Sequence, residues 1–308
     1  MPPAQHPKNY LDPDVLAEID RMDLRARYVV EGFISGLHRS PYHGLSVEFA
    51  QHRQYVPGDD VSHIDWKVWA RADRFYVKQY EEETNLECTI LLDCSSSMAY
   101  GEEGEGMSKF DYGATLAASL AYLLQQQQDA SGLVLFDREI RNELPTSSHP
   151  RHVHAILSEL QEARPTEQTD VTDVFPRIAA RTRRRGLVLL ISDMFFEPDA
   201  LEKGLRQLHH RQQEIVVFHV LHEDELNFPF RDNTLFRGLE TDRELMAEPP
   251  ALRRAYLEAL EEFQKNVRRI CSRAAIDYVQ LSTGEYLQAA LSRYLAGRQR
   301  IRHTYRKV

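Results

Sequence analysis

Three cysteines are all that this 308-residue chain contains. Cys88, Cys94 and Cys271 are few, odd in number and set among apolar neighbours, which excludes a disulfide framework and suits buried thiols in a reducing compartment. Long apolar runs are also missing. The longest, Gly186 to Phe196, is interrupted by Asp193 and falls far short of the roughly 20 residues a membrane span needs. The N-terminus, Met-Pro-Pro-Ala-Gln-His, lacks the charged-then-apolar pattern of a secretion signal, so a cytoplasmic location is expected. Nor is there a surplus of positive charge. Lys and Arg total 38 against 47 Asp and Glu, a formal net charge of −9, which argues against a binder of nucleic acid or anionic membrane driven by phosphate contacts. Two basic clusters stand out. Arg181 with Arg183 to Arg185 closes a predicted helix, where the dipole favours cations, and Arg298 to Lys307 reads as a solvated tail.

What remains is an ordinary globular composition, 42% hydrophobic and 28% charged, with room for one major domain and an appendage. From residue 86 onward, β-rich apolar runs alternate with helix-period segments, the signature of a mostly parallel sheet covered by helices. Strands are predicted at Leu86–Leu92, Ser131–Phe136, Leu187–Ile191, Glu214–Leu221 and Asp277–Leu281, with Glu139–Leu144 returning antiparallel. Helices are predicted over about 109–127 and 251–274, and around Val153–Leu160, Val171–Ile178 and Leu201–Leu208, with Gly186 expected to end the Val171 helix as its C′ glycine. Residues 222–250 show no sustained period and are expected to form an irregular insertion lying against the domain. Residues 1–85 differ in character and are expected to form a separate helical and β module. Within it Ser46–Tyr55 and Arg74–Tyr80 alternate as strands, Pro57-Gly58-Asp59-Asp60 is a turn, and Ile64, Trp66, Val68 and Trp69 are expected to anchor the module on the main domain.

The chemistry concentrates after the first strand of the main domain. Asp93-Cys94-Ser95-Ser96-Ser97 puts a carboxylate and two hydroxyls at the carboxyl end of an apolar strand, where ligand sites of open parallel sheets form. The run Leu187–Ile191 also leads into an acid, Asp193, and its strand neighbours the first when the strand order reverses, so the two carboxylates are expected to share a crevice. An all-oxygen set suits a hard divalent ion, magnesium or manganese rather than zinc. The same residue types also serve as turn formers and helix caps.

Asp93-x-Ser-x-Ser, a Thr in a later loop and then Ser192-Asp193 together resemble the metal-ion-dependent adhesion site of von Willebrand factor A domains. More narrowly, Arg53-x-Tyr55-x-Pro57-Gly58-Asp59, Ile64-Asp65-Trp66-Lys67, Ala70-Arg71, Lys109-x-Asp111-Tyr112, Gly132-Leu133-Val134-x-Phe136 and Ser192-Asp193 resemble the bacterial family called domain of unknown function 58, in that family's order over roughly residues 25–297. The resemblance implies a von Willebrand factor A-like α/β fold. It also implies a metal site on Asp93, Ser95, Ser97, Thr169 and Asp193. The loop before Thr169 reads Glu167-Gln168 where the family places glycine, so Thr166 and Thr172 stay beside Thr169 as candidates, with position favouring Thr169. Proteins of this kind are encoded beside MoxR-type AAA+ ATPases, which implies a protein-binding adaptor for such an ATPase and an unknown client.

The rival readings are an enzyme and a metal-free scaffold. A haloacid dehalogenase-type phosphatase needs a second Asp two residues after the first, where Ser95 stands. Gly-x-Ser-x-Gly, the Gly-x-x-x-x-Gly-Lys phosphate loop and His-Glu-x-x-His are absent. His152/His154 and His209/His210 fall in predicted helices without ligand partners at metal spacing. The expectation is therefore a protein that is not an enzyme.

Overall fold

A computed structural model describes residues 13–17, 19–37, 52–54, 76–78, 86–102, 104, 106–166, 171–181, 186–210, 213–240, 243–287 and 291–292. The chain divides into two compact units, Ser35–Asn85 and the larger Met1–Ile34 with Leu86–Val308. In the smaller unit, β1 (His52–Gln54) and β2 (Tyr76–Lys78) pair antiparallel with Arg53 opposite Val77. Both fall inside the predicted strands of that region, whereas the turn at 57–60 and the Trp66 stretch lie outside the described residues. The sequence groups residues 1–85 together, but residues 1–34 cluster with the larger unit. There, α1 (Pro13–Ala17) precedes α2 (Met22–Leu37), and the Met22 N–H donates to Gln161 Oε1 at 2.7 Å.

The larger unit is built on β3 (Glu87–Asp93), β4 (Ala130–Phe136), β5 (Ile140–Ser147), β6 (Leu187–Ser192), β7 (Glu214–Leu221) and β10 (Asp277–Ser282), ordered β10-β7-β6-β3-β4-β5. All neighbours are parallel except the β4–β5 hairpin. Every residue of β6 is buried, as a strand covered on both faces requires. The chain runs from β3 outward through β4 to the edge, then returns to the other side of β3 for β6. Leu91 therefore faces Val134 on one side and Leu190 on the other. This is the expected α/β architecture, a mostly parallel sheet flanked by helices. Its consequence is local: the loops leaving β3 and β6 diverge, and a crevice opens between them at the carboxyl ends of the strands.

Strand alternation divides the core between the two faces of the sheet. Leu91, Val188, Leu190 and Val217 pack with Val174, Phe175 and Ile178 of α5 (Val171–Arg181), Leu201, Leu205 and Leu208 of α6 (Pro198–His210), and Val267 and Ile270 of α8 (Pro249–Arg273). Leu92 and Ile191 point to the other face, where Gly113 of α3 (Lys109–Gln126) lets the helix approach within van der Waals contact of both. Next along the chain is α4 (Pro150–Glu162), whose apolar residues Val153, Ile156, Leu157 and Leu160 are buried. The three cysteines are free and buried. Among the described residues, no helix is long and apolar enough to cross a membrane.

One expectation needs correction. Residues 222–250 hold a short helix, α7 (Glu223–Asn227), and an antiparallel hairpin of β8 (Thr234–Arg237) and β9 (Glu244–Ala247). Elements of four or five residues carry too few positions for a period to show, and what secures them is tertiary packing, Phe228 against Phe230, Phe236 and Tyr256. The described part of helix α5 reaches Arg181, and the end of the helix expected before Gly186 lies outside the described residues. A Cβ at Gly186 would lie 2.5 Å from the Glu87 carbonyl oxygen, so the glycine answers a close approach to β3.

Packing makes one helix glycine similarly obligatory. A Cβ at Gly204 in α6 would sit 2.9 Å from both Cβ and Cγ of Phe175 in α5. In an exposed helix, Ala stabilises by about 1 kcal/mol over Gly, whereas overpacking a closed core costs about 1–3 kcal/mol. Gly204→Ala is expected to lower stability by about 1–2 kcal/mol in urea denaturation, against the sign that propensity alone predicts.

Candidate metal centre

Strand β3 ends on Asp93, and its register with β4 continues one residue further, since the Cys94 N–H donates to the Phe136 carbonyl at 2.7 Å. The chain then tightens into a 3-10 turn at Ser96–Ala99. Strand β6 ends on Ser192, and Asp193 follows before Met194 adopts a left-handed φ of 58°. That conformation is uncommon for a bulky residue. It is held by the Met194 N–H donating to Ser192 Oγ at 2.9 Å.

The side chains of these two turns meet. Asp93 Oδ1 accepts from the Ser95 N–H at 2.9 Å, and Oδ2 accepts from the Ser192 hydroxyl at 2.6 Å. Ser95 Oγ and Ser97 Oγ lie 3.1 Å apart, and the Ser97 hydroxyl contributes to lowering the Asp193 carboxyl. Asp93, Ser95, Ser192 and Asp193 are all buried, and only Ser97 is partly open. Four of the five residues that sequence reasoning singled out are thus brought together. Thr169 lies outside the described residues. Of its alternatives, Thr166 donates its N–H to the Cys94 carbonyl at 3.2 Å while its hydroxyl accepts from Arg141, and Thr172 is exposed on α5.

The electrostatics of the two carboxylates differ because, among the described residues, a cation reaches only one of them. Lys109, at the first position of α3, reaches Asp193 Oδ2 at 2.7 Å and Glu225 Oε1 at 2.9 Å, with only 2% of its side chain exposed. Burial alone would raise the Asp193 carboxyl, but the Lys109 ammonium outweighs it and holds the group below its ordinary value. Burial would likewise lower Lys109, and the two carboxylates raise it instead. Asp93 has only neutral donors among the described residues, so burial first and the Asp193 charge second push its carboxyl up.

An all-oxygen set of Asp93, Ser95, Ser97 and Asp193 fits a hard divalent cation. The buried charge on Asp93, unanswered by any described side-chain cation, is where such an ion would be compensated. Among the described residues, no group of three or more His, Cys, Asp or Glu gathers at metal-ligand spacing, so the hydroxyls are essential to this donor set.

Lys109 and Glu225 are the residues of the crevice that the sequence left unassigned. One signal for Lys109 was available: a lysine in the first turn of a helix opposes the macrodipole, so its presence there calls for a compensating anion. Ser108 caps the helix normally, accepting the Asp111 N–H at 3.0 Å, which leaves Lys109 free to turn inward. Glu225 carried no signal, because its approach depends on α7.

A family model described as "Protein of unknown function DUF58" matches residues 51–266. An uncharacterized protein of Mycobacterium tuberculosis is 25% identical over 309 residues, spanning 97% of this chain and 96% of the relative. Among solved structures, conserved hypothetical protein BatB from Bacteroides thetaiotaomicron is similar at 14% identity and a TM-score of 0.47, covering 69% of this chain and 98% of that one. The SpRpn10 VWA domain is similar at 10% identity and a TM-score of 0.37, covering 67% and 93%.

Removing the internal cation strands a buried charge. Lys109→Met is expected to destabilise the fold by about 3–5 kcal/mol, and adding Asp193→Asn to it should restore part of that loss, as a double-mutant cycle by chemical denaturation would register. The sign for Asp93 follows from its raised carboxyl. In excess chelator the protonated form is favoured by the fold, so the contribution is fully present below the ordinary value of 3.8 and is lost as pH rises toward about 7. His219, lowered to about 4 by burial, runs the other way, destabilising as pH falls below its ordinary 6.5. The measurable quantity is therefore a difference: the stability of Asp93→Asn relative to wild type should move in the variant's favour between pH 4 and pH 7, and a difference independent of pH would contradict this assignment.

Proposed function

Since the chain belongs to the DUF58 family, whose description assigns no activity, we propose from the crevice itself that it is a non-enzymatic, metal-dependent protein-binding adaptor. The observation that carries this reading is the meeting of Asp93, Ser95, Ser97 and Asp193 at the carboxyl ends of β3 and β6. Asp93, Ser95 and Ser97 would hold Mg2+, or Mn2+ in its place, with Asp193 and Thr169 assisting. The ion supplies a Lewis-acidic position that a partner's Glu or Asp completes. Beside it, Phe195 is 60% exposed and rests on Phe263 with ring centroids 5.5 Å apart. An aromatic side chain held out next to a charged crevice is the composition of an interface centre.

The non-enzymatic part rests on how the hydroxyls are used. Ser192 donates to Asp93 and accepts from Met194, so its hydroxyl is spent on hydrogen bonds within the crevice instead of being presented as a nucleophile. The resemblance to proteins encoded beside MoxR-type AAA+ ATPases supports such an ATPase, together with an unknown client protein, as the partners. A metal-independent scaffold is the second reading, and Lys109 favours it, since its ammonium already answers the charge of Asp193.

Co-purification from the native cell discriminates the two. With magnesium present, a MoxR-type ATPase should be recovered with the wild-type chain, and recovery should fall at least about tenfold, a loss of about 1.4 kcal/mol, in excess chelator or with Asp93→Ala. Equal recovery in all three samples would overturn the metal-dependent adaptor and leave the scaffold.

A further inference from the structure

Next to the crevice lies a second concavity with different chemistry. A cavity of about 440 Å³ opens between α7, the β8–β9 hairpin and the start of α8. Its walls are aromatic: Tyr100, Phe228, Phe230, Phe236 and Tyr256, with Leu245 at its mouth. The rings brace one another, Phe228 lying 4.8 Å from Tyr256 and 5.2 Å from Phe230 between centroids, and Phe230 5.3 Å from Phe236. Phe228 adopts a left-handed φ of 45° at the end of α7, a conformation bulky residues rarely take and one that recurs at ligand clamps. The polar lining is acidic, Asp224 and Glu225, and no basic side chain lines the cavity among the described residues.

The two acids are not equivalent. Glu225 is committed, with Oε1 on Lys109 and Oε2 accepting the His222 N–H at 2.8 Å. Asp224 is 40% exposed, and the nearest charged candidate is the His222 ring at 3.5 Å. That ring cannot answer it at neutral pH. His222 Nδ1 is the acceptor of the Asp224 N–H at 3.1 Å, and burial lowers the imidazole below its ordinary value. Among the described residues no cation compensates Asp224 at neutral pH, so it presents a negative charge at the edge of an aromatic pocket, the complement of a cation on an apolar stem.

The open part of the lining is apolar. Leu245 of β9 is 57% exposed and Leu252 of α8 is 37% exposed, and both line the cavity, whereas Leu235 and its cross-strand partner Met246 alternate to the other face of the hairpin. An open apolar rim beside an anionic aromatic pocket calls for an occupant that carries an apolar group next to its cation, and exposed apolar surface of this kind marks a protein-binding site. We propose that the cavity is the docking site for a partner-protein segment in which an arginine or lysine stands next to an apolar residue, the cation meeting Asp224 over the aromatic floor and the apolar neighbour lying on Leu245 and Leu252. The proposal does not rest on metal in the crevice.

The test is aromatic NMR of the full chain, labelled on Phe and Tyr, in excess chelator, with acetyl-Leu-Arg-amide titrated to millimolar concentration. Shifts confined to the rings of the cavity are expected. The neutral isostere acetyl-Leu-citrulline-amide should bind about fivefold more weakly, and Asp224→Asn should cost the arginine probe a similar factor. Leu245→Ser, at a position open enough to spare the fold, should weaken both probes. Absence of shifts with the arginine probe, equal affinity for arginine and citrulline, or indifference to Asp224→Asn would overturn the proposal. So would n-butylguanidinium binding as tightly as the dipeptide, which would assign the cavity to a small cation. Because chelator is present throughout, the outcome is independent of the magnesium-dependent recovery described above.

Discussion

Two carboxylates delivered to one buried crevice are the constraint around which the rest of this protein is arranged. Asp93 and Asp193 leave adjacent parallel strands at the point where the strand order reverses, so the fold forces like charges together in a place that water does not screen well. Among the described residues, one of them is answered by Lys109 and the other only by neutral donors. This asymmetry gives the crevice its character, because it leaves Asp93 as the charge that an external cation would satisfy.

Lys109 also ties distant parts of the chain to each other. It belongs to α3, it pairs with a residue that follows β6, and it pairs with a residue of α7. A lysine buried without partners would lose its charge. Here the two carboxylates keep it ionised, and their positions are fixed in return. The short helix α7 is held in this way from one end, with a His222 capping box beneath it, and from the other by the packing of Phe228 on Tyr256.

Crevice and aromatic cavity therefore share a wall, with Glu225 lining the cavity and contacting Lys109. One face of the molecule presents a site for anionic groups if a metal is held there, and beside it a site for cationic ones. Opposite preferences placed side by side suit a protein surface with alternating charge better than a single small ligand, and they would give register as well as affinity to a partner that spans both.

Much of this was legible in the chain itself. Continuous apolar runs such as Leu187–Ile191 identified buried parallel strands, the 3.6-residue recurrence of Val153, Ile156, Leu157 and Leu160 identified a helix, and the acid and hydroxyls directly after β3 marked the site, because strand ends and their turn residues are local properties. The sequence determined that Asp93, Ser95 and Ser97 would emerge together and that Asp193 would follow a strand. Tertiary structure alone decided what answers their charge. Lys109 and Glu225 come from elements 84 and 116 residues away from their partners, and α7 and the β8–β9 hairpin are too short to show a period. Their placement follows from packing on Tyr256 and from charge pairing across the crevice, interactions that exist only once the sheet has brought the segments into contact.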